Sequence, residues 1–71
     1  MTITIRLKTG NAAFRDPDAG ETDRDAQQYA RDAEVSRILR EWAARIPEDG
    51  YGTSVRDYNG NTCGSITVTG R

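Results

Sequence analysis

No histidine occurs in this sequence, and cysteine, methionine, tryptophan and phenylalanine occur once each. Without histidine, the commonest general base and the commonest metal ligand are both missing. The single Cys63 excludes an internal disulfide, which suits a reducing cytoplasm. No apolar run approaches the roughly 18 residues a membrane-spanning helix requires. The opening "MTITIRLK" alternates polar with apolar residues and has no apolar h-region, so no signal peptide is expected. Lysine is nearly absent: nine of the ten basic residues are arginines, and the net charge is −1. A sequence-indifferent grip on nucleic acid calls for a clustered basic face, which this chain does not announce. Neither a phosphate-loop nor a dinucleotide fingerprint is present. These gaps point to a protein that is not an enzyme and carries no cofactor or metal.

What remains is 71 residues, 35% apolar and 30% charged, so one domain with a thin core. A single core of this size supplies only about 3–5 kcal/mol of net stability. Residues 2–8 alternate, with Ile3, Ile5 and Leu7 on one side and Thr2, Thr4, Arg6 and Lys8 on the other. That period predicts a half-buried strand. Residues 9–22, rich in Gly, Asp and Pro, read as a long acidic loop with Phe14 as its tie to the core.

A helix is predicted over residues 23–46, best defined from 34 to 46. Val35, Ile38, Leu39, Trp42 and Ile46 share one face at three- and four-residue spacings. Ala26, Tyr29, Ala30 and Ala33 share another, nearly opposite at about 100° per residue. One straight helix cannot bury both on one sheet. Either it breaks near Asp32, or its first half overhangs with the Ala/Tyr face free. Thr22 and Asp32 are the candidate caps, with Asp25 a weak capping-box partner of Thr22. Arg37/Glu41 and Glu41/Arg45 form exposed i,i+4 pairs. Pro47 ends the helix at Ile46.

Strands are expected over residues 51–58 and 61–69, joined by Asn59-Gly60 as a type I′ turn. Placing Tyr58 opposite Asn61 sets Val55 against Gly64, Thr53 against Ile66 and Tyr51 against Val68. Tyr51, Val55, Ile66 and Val68 then share the core face, and Ser54, Arg56, Ser65 and Thr67 the outer one. The order is β-α-β-β, an α+β fold with one amphipathic helix on a three-stranded sheet. A central third strand makes every pairing antiparallel, and that arrangement is favoured. The alternative pairs the first two strands in parallel through a right-handed crossover.

Cys63 as a nucleophile would need its pKa lowered, and Arg56 is its expected cross-strand neighbour. A small filler on a strand is the preferred reading. Asp57 as an acid/base group would need a second carboxylate, and the sequence fixes none nearby; turn-flanking aspartates are common. Asp16, Asp18, Glu21, Asp23 and Asp25 stand against a single Arg24, without the spacing of a calcium loop. They read as a solvated loop with favourable charge at a helix start, or as carboxylates presented to an arginine- or lysine-rich partner. Tyr29 beside them is a candidate interface anchor. The outer sheet residues Arg6, Lys8, Arg56 and Tyr58 make a second candidate surface, for nucleic acid. A third reading is an interaction module that dimerises through a strand edge or the Ala/Tyr face.

"NAAF", "EVSRILREWAARI" and "VRDYNGNTCG", in this order, resemble a group of very small phage-encoded proteins. The pattern covers about half of the chain, and residues 15–33 look like added material. The group includes anti-CRISPR proteins acting on type I surveillance complexes. The resemblance implies a non-enzymatic inhibitor in a bacterial cytoplasm, bound to a surveillance-complex subunit and blocking target DNA. Such inhibitors often set acidic side chains where the phosphate backbone would lie. The candidate partner-binding residues are therefore Asp16, Asp18, Glu21, Asp23, Asp25 and Tyr29.

Overall fold

The structure is a computed structural model that describes residues 1–47 and 52–70. Strand β1 (Thr2–Leu7) leads into a 3-10 turn (Ala12–Phe14), helix α1 (Arg24–Ala43), and strands β2 (Thr53–Arg56) and β3 (Thr62–Thr69). The sheet order is β1-β3-β2, with both pairings antiparallel. This is the expected α+β architecture with its third strand in the middle; the parallel crossover alternative is not adopted. Between β1 and β3, Ile3 faces Val68 and Ile5 faces Ile66. Between β2 and β3, Thr53 faces Ile66 and Val55 faces Gly64, as the sequence register requires. Tyr51, expected opposite Val68, lies outside the described residues.

Phe14, Ile38, Val55, Ile66 and Val68 are fully buried, joined by Ala13 and Cys63. Leu7, Val35 and Trp42 pack against this cluster while half-buried. Each large side chain so enclosed contributes about 1.5–3 kcal/mol before conformational entropy is set against it. Phe14 does tie the loop to the core, at 1% exposure. The expected helix stripe is only partly used, because Leu39 and Ile46 stay about 40% exposed. Ile3 and Ile5 on β1 are equally open. Cover is therefore centred on β3 and β2, with the Ala13–Phe14 turn filling space that a broader helix contact would otherwise close.

Helix α1 is continuous, so of the two sequence alternatives the overhang is realised and the break near Asp32 is not. Its first ten residues supply no buried side chain; the buried ones are Glu34 and Ile38. Asp23, rather than Thr22, is the N-cap: its Oδ1 accepts the Ala26 N–H at 3.2 Å. A carboxylate one residue closer to the helix reaches that donor directly. Asp32 caps nothing and instead meets Arg31 Nε at 3.3 Å. The helix stops at Ala43, short of Ile46. Pro47 has no N–H to offer the Ala43 carbonyl, so the last expected turn lacks its bond and unwinds. The Arg45 N–H closes on the Trp42 carbonyl, and its guanidinium lies 4.6 Å from the Trp42 ring centroid. No helix among the described residues is long and apolar enough to cross a membrane.

Candidate partner-binding surface

The hairpin tip, which carries the cysteine, is built differently from a type I′ turn. No non-glycine among the described residues has positive φ, and Gly60 alone at the tip does, at 84°. The Gly60 N–H donates to the Asp57 carbonyl at 2.9 Å, so Tyr58 and Asn59 are the central turn residues. The Asp57 N–H in turn donates to the Asn61 carbonyl. The loop therefore has three residues, with glycine in the left-handed position. The register shift is absorbed between Val55 and Arg56: Arg56 faces Thr62, and Cys63 is the extra residue of a β-bulge. The expected Arg56–Cys63 pairing is thus replaced. The bulge rotates Cys63 from the outer face into the core, where it is 4% exposed.

The Asp57 side chain explains the change of turn. Its Oδ1 accepts the N–H groups of Asn59 and Asn61, each at 3.0 Å. Its Oδ2 accepts Asn11 Nδ2 at 2.9 Å, tying the loop after β1 to the hairpin. Asp57 is 4% exposed, and so nearly is Glu34 at 5%. Glu34 Oε2 accepts the Tyr58 N–H at 2.7 Å and Arg37 Nη2 at 3.0 Å, while Oε1 accepts Arg37 Nε. This is the second carboxylate the sequence left unfixed. It was legible in principle, since Glu34 lies four residues before Ile38 on the same helix face. Both carboxylates accept internal donors: Glu34 holds the hairpin against α1, and Asp57 shapes the tip and ties it to the loop after β1.

Burial pushes the Cys63 thiol above its usual range, and the nearby Asp57 and Glu34 charges push it further the same way. A raised pKa suppresses the thiolate, which is the reactive form. The folded thiol titrates above its unfolded value, so its contribution to stability is present below the ordinary thiol range and drains away as pH rises through the folded pKa. Native protein at mildly alkaline pH is expected to resist alkylation at Cys63, with full labelling once denatured. Equal labelling rates in both states would contradict the buried placement.

One side-chain amide makes most of the contacts that order the acidic segment. Gln27 Oε1 accepts the Asp16 N–H at 3.0 Å, and Nε2 donates to the carbonyls of Asp16, Ala19 and Gly20. The sequence reading missed this role; Gln27 stands seven residues before Glu34, in line with the buried face. Asp16 is half-buried, and its Oδ1 accepts the Asp18 N–H at 2.9 Å. Asp23 is committed to capping. Asp18, Glu21, Asp25 and Tyr29 are exposed, Tyr29 at 79%. Ion pairs among the described residues join Arg31–Asp32, Arg37–Glu34, Arg37–Glu41 and Arg45–Glu41. None of them engages Asp16, Asp18, Glu21, Asp23 or Asp25.

The six candidates do not form one uniform face. Asp25 and Tyr29 line a shallow cleft of about 320 Å³ with Gln28 and Asp32. Glu21 instead lines a cleft of about 440 Å³ with Arg15, Arg24 and Arg31. Gln28 borders both clefts, so the free half of α1 divides into an acidic-aromatic flank and a basic one. On the far side of the sheet, Arg6 lies opposite Ser65, and Thr4, Arg6, Ser65 and Thr67 line a polar groove. Arg56 Nη1 is partly engaged there, donating to the Gly60 carbonyl at 3.1 Å. Among the described residues no group of three or more Cys, Asp and Glu could hold a metal ion. No family model matches this sequence, and no curated protein or solved structure is significantly similar to it.

Proposed function

We propose that this protein is a non-enzymatic inhibitor of phage origin that docks its acidic segment on a basic, DNA-recognising protein in a bacterial cytoplasm. The resemblance to small phage proteins makes a subunit of a type I CRISPR surveillance complex the proposed target, with carboxylates standing where DNA phosphates would lie. One observation carries this reading. Asp18 and Asp25 are exposed carboxylates outside every ion pair among the described residues, on a segment already ordered by Gln27 and the Asp23 cap. Pre-ordering lowers the entropy lost on docking. Tyr29, at 79% exposure beside Asp25, adds a rigid amphipathic ring of the kind that anchors interfaces.

Asp16 and Asp23 also hold the loop and helix start, so changing all five acids would mix folding with binding. The cleaner variant is Asp18→Asn/Asp25→Asn/Tyr29→Ala. Its melting curve is expected to stay near wild type, while capture of a purified type I surveillance complex falls at least about tenfold. Undiminished capture would refute the docking assignment, and no capture by the wild type would refute the target.

The second reading is nucleic-acid binding through Arg6, Lys8, Arg56 and Tyr58. Its support is the polar outer groove containing Arg6 and the exposed Tyr58 at the tip. A gel-shift titration at low salt separates the readings, because only this one retards a bare duplex.

A further inference from the structure

The cleft beneath the N-terminal half of α1 is basic. Arg24 and Arg31 are seven residues apart, two turns along one helix face, and both line it. Their Cα positions are separated by about 10 Å along the axis. Arg15 lines it from the loop, and Thr9 and Gln28 add a hydroxyl and an amide. Phe14 and Gln27 complete the lining, but Gln27's amide is already spent on the loop backbone. Glu21 is the lone carboxylate in the lining, so the formal balance is three positive charges against one negative. Arg15 and Arg24 take part in no ion pair among the described residues, and Arg31 meets only its exposed neighbour Asp32. Glu21 and Asp32 offset only part of these three like charges, and the remainder repel one another. That arrangement favours an external anion which neutralises them.

We infer that this cleft binds a ligand carrying two or more linked phosphates. The guanidinium fork matches phosphate oxygens through paired, charge-assisted hydrogen bonds. Two forks about 10 Å apart along the axis reach more than one phosphate, and Arg15 closes the third side. A volume of about 440 Å³ lies in the range of small-ligand sites. The same chemistry is offered by a free polyphosphate and by the backbone of a nucleic-acid strand. This inference does not rest on the acidic docking surface: Glu21 borders both, but Arg15, Arg24 and Arg31 carry the one and Asp18, Asp25 and Tyr29 the other, and the probes differ.

The test is calorimetric titration of the full chain at low salt with two probes, inorganic tripolyphosphate and a short oligothymidylate. Saturable binding of at least one is expected, with Arg24→Gln/Arg31→Gln weakening it about tenfold or more. Arg40→Gln, farther along α1 and outside the cleft lining, should leave it unchanged. Arg15→Gln gives the same readout from the loop, should the helix variant fail to fold. Tighter tripolyphosphate binding identifies a free ligand; tighter oligothymidylate binding identifies a strand. Heats absent for both probes at millimolar concentration would overturn the inference. So would an Arg40→Gln loss equal to that of the helix variant.

Discussion

Gly64→Ala is expected to leave the protein largely unfolded at room temperature. Gly64 sits in the central strand, between Leu7 on one side and Val55 on the other. A Cβ built there would fall 1.8 Å from the Arg6 carbonyl oxygen and 3.1 Å from the Leu7 Cα. Those are backbone atoms of β1, so no side-chain rotation relieves the clash. Either β1 moves out of the sheet or the β3 bulge unwinds, and both sacrifice ladder hydrogen bonds. A cost of about 4 kcal/mol or more matches the whole net stability of about 3–5 kcal/mol expected at this size. Far-UV circular dichroism on melting provides the measurement. Gly10→Ala and Gly20→Ala, where nothing lies within 4 Å, should shift stability by no more than about 0.5 kcal/mol. A Gly64→Ala variant melting with the wild type would show that β1 and β3 do not approach as closely as described.

Asp57→Ala should be the second most damaging change, at about 2–4 kcal/mol. The loss removes the shared acceptor of the Asn59 and Asn61 N–H groups and of Asn11 Nδ2. Asn59 and Asn61 are exposed, so water recovers part of the loss. The Asn11 contact is half-buried and joins segments 46 residues apart in sequence, so its loss also frees the loop after β1. Asp57→Asn keeps one acceptor oxygen and most of the volume, and is expected to cost less than half as much. Urea unfolding of the two variants measures the difference. Equal midpoints for both would mean that the carboxylate's two-sided role is not what shapes the tip.

The sequence was most informative where hydrophobic period and pairing register constrained each other. Val55 against Gly64 and Thr53 against Ile66 follow from matching apolar residues across the hairpin, and the fold class follows with them. The type I′ turn expected of Asn59-Gly60 gives way to Asp57, two residues before it in sequence. Asp57 gathers two backbone N–H groups, and that local choice outweighs the preference of Asn-Gly for paired positive φ. The resulting bulge moved Cys63 across the sheet, a one-residue slip that alternation alone cannot show. The candidate surface was legible as composition but not as geometry. Acids adjacent in sequence were dispersed among a cap, a loop contact and two clefts, because four of them lie in the folded-back loop or at the helix cap and only Asp25 lies within the helix. The arginine cleft escaped notice for the same reason, since Arg15, Arg24 and Arg31 converge only when the loop folds back through Gln27.

The unbroken run of α1 has a mechanical consequence. Twenty residues at 1.5 Å rise make a rod about 30 Å long, clamped at one end by Ile38 and its neighbours. Its other end rests on a loop held by the Gln27 amide, the Asp23 cap and buried Phe14. Force or occupancy at that outer end is delivered to the clamp without a joint to dissipate it. A ligand that grips the outer end of the rod in the folded state alone stabilises the whole small domain, so a melting-temperature shift would register even a contact made far from the hydrophobic centre.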